Sequence, residues 1–471
     1  MPNDRRYLTE RLALGRFDMP GERERTTATP LNKRRYQIRF QARIRAQKRE
    51  KRRKGRGRRG ERAVNVTFVT ALSGGGGRVV QSKRLLERQI RRVRIPKVFS
   101  IIDEPETALE TLDLIRRIAS DRSTRLIQFD HSDCESIGLC ASTAMDVILL
   151  DAERTRPKSN PLSFGGRFSK TPAVNLMLKA SGIPRHLGLR ESILPPEEET
   201  RVARCELQRG KANRIETGKE RDRAATSLTD YFDRCLSRVG HELTGEGKKF
   251  VSSLLTEIIG NAEEHGGPWS TIGHWQFIGT PEERFGECHI VILDYGNTIY
   301  ESLDQHNESE LLREKLRGLS DLHRKQGFFS FGRASWDEET LWTLYALQER
   351  VSRYSDTPRG RDRGNGTISI IEFFHRLSGG TGRMCIASGR AFILFDGKYH
   401  LRPAPHGNEM LKIIAFNADN DLERPPDKSY VHGLDTPFPG TIVSIRLTLD
   451  EKYLSKVAAE DGGSDEHGRD N

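Results

Sequence analysis

Apolar residues recur every three or four positions along several stretches of the chain, and alternate or run unbroken along others. These two periods separate predicted helices from predicted strands. Phe250, Val251, Leu254, Leu255, Ile258, Ile259 and Ala262 form one helical stripe, and Leu109, Leu112, Ile115 and Ile118 form another inside a helix predicted from Glu106 to Ser120. Further helices are expected over 141–152, 173–180, 309–324, 338–353 and 368–377. Short strands are expected over 64–70, 126–130 and 290–293, in the stretch following Gly379-Gly-Thr-Gly382, and from Thr441 to Leu447, where a Gly440-Thr441 turn opens a final alternating strand. Strands and helices interleave, which indicates an α/β or α+β chain.

Composition divides the 471 residues unevenly. The net charge is +12, but Lys33–Arg62 alone carries 16 Lys or Arg against Glu50 and Glu61, a local +14, which leaves the other 441 residues at −2. A run such as Lys48-Arg-Glu-Lys-Arg-Arg-Lys54 cannot bury enough apolar area to fold alone, so residues 1–64 are expected to form a disordered basic arm. Its charge suits non-specific contact with nucleic-acid phosphates. Residues 65–95 read as a linker with a short strand. The Gly74–Gly77 run within it lacks the Gly-Lys-Ser/Thr ending of a P-loop. A small α/β domain is expected over 96–192, a polar linker over 193–222, a larger domain over 223–450, and a disordered acidic tail over 451–471. No run approaches the roughly 20 apolar residues of a membrane helix, and the N-terminal residues have no signal-peptide core. The six scattered cysteines include no Cys-x-x-Cys pair. They read as buried free thiols of a cytoplasmic protein.

Candidate chemistry gathers in the larger domain. Glu257, Asn261 and His265 are spaced i, i+4, i+8, which places them along one helix face beside the apolar stripe. A carboxylate one turn before a carboxamide can hold a water and a metal ion beside a phosphate chain. Asp294 ends a buried apolar run and is followed by Gly296, which permits a close backbone turn. A carboxylate there can accept a hydrogen bond from an exocyclic amine such as adenine N6. The glycine-rich stretch ending Gly364-Asn-Gly366-Thr367 runs into a helix N-terminus, whose free N–H groups suit phosphates.

In this order and at these separations, the boxes Glu257-x-x-x-Asn261-Ala262-x-x-His265, strand-Asp294-x-Gly296, Gly364-x-Gly366-helix and Gly440-Thr441-strand resemble the GHKL superfamily of gyrases, histidine kinases, heat-shock chaperones and mismatch-repair ATPases. The resemblance covers residues 226–449. It implies a GHKL-type α/β sandwich, a mixed sheet covered by helices, that binds ATP with Mg2+. Asn261 would coordinate magnesium, Glu257 would activate the attacking water, and Asp294 would hold adenine N6 above Gly296. Gly364 and Gly366 would meet the phosphates, and Thr441 would support the adenine through water. Two positions depart from the pattern: Thr298 stands where a second glycine is usual, and Thr367 follows Gly366 where leucine is usual. The segment from Tyr300 to Arg359, the lid in this family, is long.

In the smaller domain, strand 126–130, the turn Cys134-Glu-Ser136-Ile-Gly138 and the following helix resemble STAS domains, where the turn reads Asp-Ser-Ser-Gly. Ser136 matches the phosphate-accepting position. As a residue type at that place it would equally serve to cap the helix.

Together these features predict an ATP-dependent regulatory switch whose STAS-like domain engages a protein partner, with ATP hydrolysis as the chemistry. The alternatives are a protein-serine kinase of the anti-sigma-factor type with Ser136 as an acceptor, and a non-catalytic nucleotide-gated adaptor that binds nucleic acid through Lys33–Arg62. No histidine-kinase dimerisation helix pair with a phosphoacceptor histidine precedes Ser227, and the segment Arg238-Val-Gly-His241-Glu242 is too short for that hairpin. The oligomeric state is left open.

Overall fold

The structure, a computed structural model, describes residues 14–16, 89–157, 159–211, 218–305, 310–328, 336–349, 351, 366–406 and 409–466. The basic run 33–62, the strand expected over 64–70, Gly74–Gly77 and Gly364 lie outside the described residues. The larger of two compact units takes in residues 1–17, 92–122 and 127–471 and holds the candidate site. Of the smaller unit, 18–91 with 123–126, the described part includes a backbone bond from Arg125 N to Gln89 O at 2.9 Å.

Strand β1 (Leu14–Arg16) pairs antiparallel with β8 (His241–Leu243), so three residues of the expected arm are ordered against the larger domain. A small α/β layer follows. It holds β2 (Ile90–Arg94), β3 (Val98–Phe99), α1 (Pro105–Ser120), β4 (Leu126–Asp130), β5 (Ser136–Ile137), α2 (Leu139–Thr155), β6 (Ser163–Arg167) and α3 (Pro172–Ser181). Strands β2, β4 and β6 form one sheet, and β3 pairs parallel with β5. Pro105 and Pro172 open α1 and α3 at first-turn positions where a missing N–H costs nothing.

The larger part is built on a five-stranded sheet of β7 (Val202–Gly210), β9 (Trp269–Phe277), β10 (Phe285–Asp294), β11 (Arg383–Phe395) and β14 (Val431–Asp450), in the order β11-β14-β10-β9-β7. Every pair in it is antiparallel. The expected mixed sheet is therefore corrected to an antiparallel one. The seven residues between β9 and β10 close a hairpin, and a parallel pair would need a long crossover instead.

Both faces of this sheet are covered. Cys288, Ile290 and Ile292 of β10 point to a core shared with α4 (Gly218–Arg238), α5 (Gly245–Asn261), α8 (Glu338–Ala346) and α9 (Gly366–Leu377), where Tyr231, Phe232, Ile259, Trp342 and Phe374 are fully buried. Val291 and Leu293, one residue out of phase, join Ile272, Ala387 and Ile442 in a second core with Leu112, Phe129, Leu139 and Met145 of the α/β layer. Burial on both sides explains why β10 reads as an unbroken apolar run rather than an alternation. It also means that 96–192 and 223–450, expected as separate domains, share a core. Polar contacts join the layers too. Asp103 accepts from Arg446 Nη1 and Nη2 at 2.9 Å each and from Arg383 Nη1 at 3.0 Å. Tyr295 Oη donates to the Ala144 carbonyl of α2 at 3.2 Å, and its ring stacks on Phe438.

Two further expectations are corrected. The linker 193–222 contains β7, the edge strand of the large sheet. Its buried Val202, Ala203 and Cys205 are obscured in the sequence by interleaved charges. The tail 451–471 begins as helix α10 (Glu451–Glu466), anchored by buried Leu454 and by Tyr453 Oη donating to Arg376 O at 2.9 Å. Between α5 and α10 lie also α6 (Ile299–Gln305), α7 (Glu310–Phe328) and the hairpin of β12 (Arg402–His406) with β13 (Glu409–Ile413). All six cysteines are free and buried. No described helix is long and apolar enough to cross a membrane.

Candidate functional site

Helix α5 starts at Thr244, whose hydroxyl accepts from Gly247 N at 3.0 Å. Its apolar residues Val251, Leu254, Leu255, Ile258 and Ile259 are buried, while Ser253, Glu257 and Asn261, each one turn apart, face out. After Asn261 the helix passes into a single π turn, Ala262–Gly266, a form that recurs at functional sites. The predicted i, i+4, i+8 row therefore holds for Glu257 and Asn261 on regular helix, while His265 falls on the π turn.

Glu257 and Asn261 line a cavity of about 540 Å3. Ile292 and Asp294 from β10, Ile386 from β11 and Thr441 and Val443 from β14 line it from the sheet, α6 supplies Ile299 and Leu303, and Gly366 opens α9 at its edge. Five of the sequence-predicted residues, Glu257, Asn261, Asp294, Gly366 and Thr441, thus meet in one concavity from four separate stretches of chain. Gly296 is not on the wall. Its N–H turns back to Asp294 Oδ1 at 3.0 Å, and Asn297 lines the cavity in its stead.

Asp294 is only 3% exposed, and it sits opposite Thr441 in the β10–β14 register. Burial pushes its carboxyl up to about 7, against the opposing hydrogen bonds from the Gly296 and Thr441 backbones. The Thr441 hydroxyl is 2.9 Å from Ser388 Oγ, which accepts from Ile299 N at 2.9 Å, so β11, β14 and α6 are tied together beside it. Thr441 does not follow a turn that opens a strand. It lies inside the 20-residue β14, just after a kink where Gly440 takes φ 137° and the register with β11 shifts. A side chain at Gly440 would collide with the backbone of Asp294 and Tyr295, so the glycine lets β14 close over the end of β10.

Thr298 has a positive role. Its N–H donates to Glu301 Oε2 at 2.8 Å and Glu301 N donates to its Oγ1 at 3.1 Å, a reciprocal cap on α6. Gly366 packs against Glu257 so tightly that a Cβ there would lie 2.5 Å from Glu257 Oε1. Ser136 is exposed on β5, and the N-cap of α2 is Gly138, so Ser136 does not cap that helix.

Sequence reasoning passed over Arg221, which lines the cavity from the first turn of α4. It stands among Lys219, Glu220, Asp222 and Arg223 with nothing in the pattern to single it out. Among the described residues no three His, Cys, Asp or Glu side chains converge as a metal site. Glu257 and Asn261 offer hard oxygen donors, and a magnesium ion here would complete its shell with ligand oxygens and water, as that ion commonly does.

Comparison with models of known families, with curated proteins and with solved structures found no match.

Proposed function

We propose that the chain is a GHKL-type ATP-binding regulatory protein, and that the cavity between α5, α9 and the large sheet takes ATP with magnesium. The observation that carries this reading is the convergence of Glu257, Asn261, Asp294, Gly366 and Thr441 on one cavity of about 540 Å3, within the usual range for a small-ligand site.

The inner end suits a base. Ile292, Ile386 and Val443 supply apolar wall, and Asp294 supplies one buried acceptor for an exocyclic amine. The outer end suits phosphates. The N-terminus of α9 borders the cavity at Gly366 and Thr367, where helix N–H groups would suit phosphates, and Asn261 would hold magnesium through its carboxamide oxygen. Bound magnesium would neutralise charge developing on the phosphates. Glu257, one turn before Asn261, would orient a water and take its proton as the water attacks the terminal phosphate. Helices α6 and α8 meet the cavity through Ile299, Leu303 and Ala346, so the segment between β10 and α9 forms part of the wall that nucleotide binding would reorganise.

The kinase alternative has one supporting observation, the exposure of Ser136. The layer that carries Ser136 packs on the face of the sheet opposite the cavity. Transfer to Ser136 would therefore run between two molecules.

The test is magnesium-ATP binding and turnover by wild type, Asn261→Ala and Glu257→Ala. The switch reading expects wild type to bind, Asn261→Ala to lose binding, and Glu257→Ala to bind without turnover. Phosphate recovered on Ser136 would favour the kinase. A wild type that binds no nucleotide ends the proposal.

A further inference from the structure

The charge balance of the cavity poses a problem for a polyphosphate. Its wall carries the carboxyl groups of Glu257, Glu264 and Asp294, and among the described residues the sole basic side chain on it is Arg221. Arg221 comes from α4, a different helix from the one that carries Glu257 and Asn261. Its guanidinium reaches past Gly260, where an added Cβ would lie 3.4 Å from Nη1, and so arrives beside Asn261.

Arg221 is loosely held there. Its Nη1 donates to Glu263 Oε2 at 3.5 Å, the limit of a hydrogen bond, and its Nε makes no hydrogen bond, the carboxylate of the neighbouring Asp222 lying 3.7 Å away. Glu263 is 6% exposed, and its other carboxyl oxygen, Oε1, is likewise buried without a partner. A partly buried guanidinium and a buried carboxylate, each incompletely hydrogen-bonded, carry a desolvation cost that a better partner would relieve. Glu263 lies on the π turn directly after Asn261, which fixes this loose pair at the end of α5.

Building on the ATP reading above, we propose that Arg221 is the polyphosphate anchor of this cavity. Its planar fork matches phosphate oxygens in a way that the contact with Glu263 does not use. In the liganded state Arg221 turns from Glu263 to the phosphates beside the magnesium held at Asn261. The site then discriminates by phosphate charge as well as by base: adenosine meets Asp294 and the apolar wall but makes no use of Arg221, whereas ATP and ADP do.

The experiment is calorimetric titration of the full chain with magnesium-ATP, magnesium-ADP and adenosine, for wild type, Arg221→Ala and Arg221→Gln. Both variants are expected to weaken magnesium-ATP roughly 10- to 100-fold, the range for losing a charged hydrogen-bond partner, and to bind adenosine within about twofold of wild type on the same scale of precision. Arg221→Gln preserves most of the stem's packing. A common loss of adenosine and ATP binding in both variants would mean that Arg221 merely supports the fold, and would overturn the assignment. So would magnesium-ATP binding at wild-type strength in either variant. If wild type binds neither adenosine nor magnesium-ATP, the ATP reading fails first and the anchor falls with it.

Discussion

Glu257 and Gly366 are packed so closely that a Cβ at Gly366 would fall 2.5 Å from Glu257 Oε1 unless the carboxylate moved. The contact joins the middle of α5 to the first residue of α9. A carboxylate beside a helix N-terminus is favoured by the dipole and by the unpaired N–H groups.

Gly366→Ala should therefore separate stability from chemistry. The obstructing atoms belong to the end of an exposed side chain, which can shift to make room, and alanine favours a helix interior over glycine by about 1 kcal/mol, with less to gain at a first residue. The melting temperature should hold or rise slightly. Turnover of magnesium-ATP should fall at least tenfold, because the group displaced is the proposed base. In the double variant with Glu257→Ala, the two effects on turnover should be strongly non-additive. Additive losses would place the effect of Gly366 elsewhere.

Asp294 carries a cost that depends on pH. Its folded value is about 7, raised by burial, whereas an unfolded aspartate titrates near 4. Between those values the folded state binds the extra proton, so stability falls as pH rises from about 4 to 7 and stays lower above that. Three units correspond to at most about 4 kcal/mol. Asp294→Asn keeps an acceptor for Gly296 N and removes the charge, so it should be more stable than wild type at pH 8, by roughly 1–3 kcal/mol, and nearly equal to it at about pH 4. Denaturant melts at the two pH values decide this.

The same carboxyl sets a ligand prediction with the opposite slope. A base amine is better accepted by the ionised form, so adenosine affinity should rise with pH through about 7 and level off above it. Below that point it should fall by up to about tenfold per unit. Adenosine is the right probe, because the phosphates of ATP titrate in the same range. Asp294→Asn should bind weakly with a flat profile, and a wild-type profile without an inflection near 7 would remove Asp294 from base recognition.

Several helices and four of the strands could be read from the chain because each has one buried stripe or an unbroken apolar run. Strand Leu126–Asp130 falls where its pattern puts it, and α1, α3 and α9 fall within two residues of theirs. The place of Glu257 and of Asp294 on its own element was also legible, since the buried side of each element is evident, but their convergence was implied only by the GHKL resemblance. Two kinds of feature were not. Strand β7 and helix α10 carry their few apolar residues among charges and are stabilised by the sheet they join, so local composition misled. Arg221 and the shared core behind the sheet depend on which elements pack together, and no local period encodes that.

The contact at Asp103 tests whether the two layers are one cooperative body. Its carboxyl takes two hydrogen bonds from Arg446 and one from Arg383, with a fourth from Ser100 Oγ at 2.7 Å. Burial works to raise this group, and the bonds from Arg446 and Ser100 with the charges of Arg446 and Arg383 more than offset it, so its folded value lies below the usual carboxylate range. A depressed value contributes stability that is present above about pH 4 and is lost as pH falls through the folded value. Asp103→Asn removes the charge and turns an amide toward two guanidinium groups. At pH 7 it should cost roughly 2–4 kcal/mol, and below pH 4 the gap to wild type should narrow. The layers share an apolar core on either side of this contact, so the variant should still unfold in one transition, followed alike by fluorescence and far-ultraviolet circular dichroism. Two separated transitions, with the α/β layer melting first, would show that Asp103 and its arginines are the main bond between the layers, with the shared core secondary.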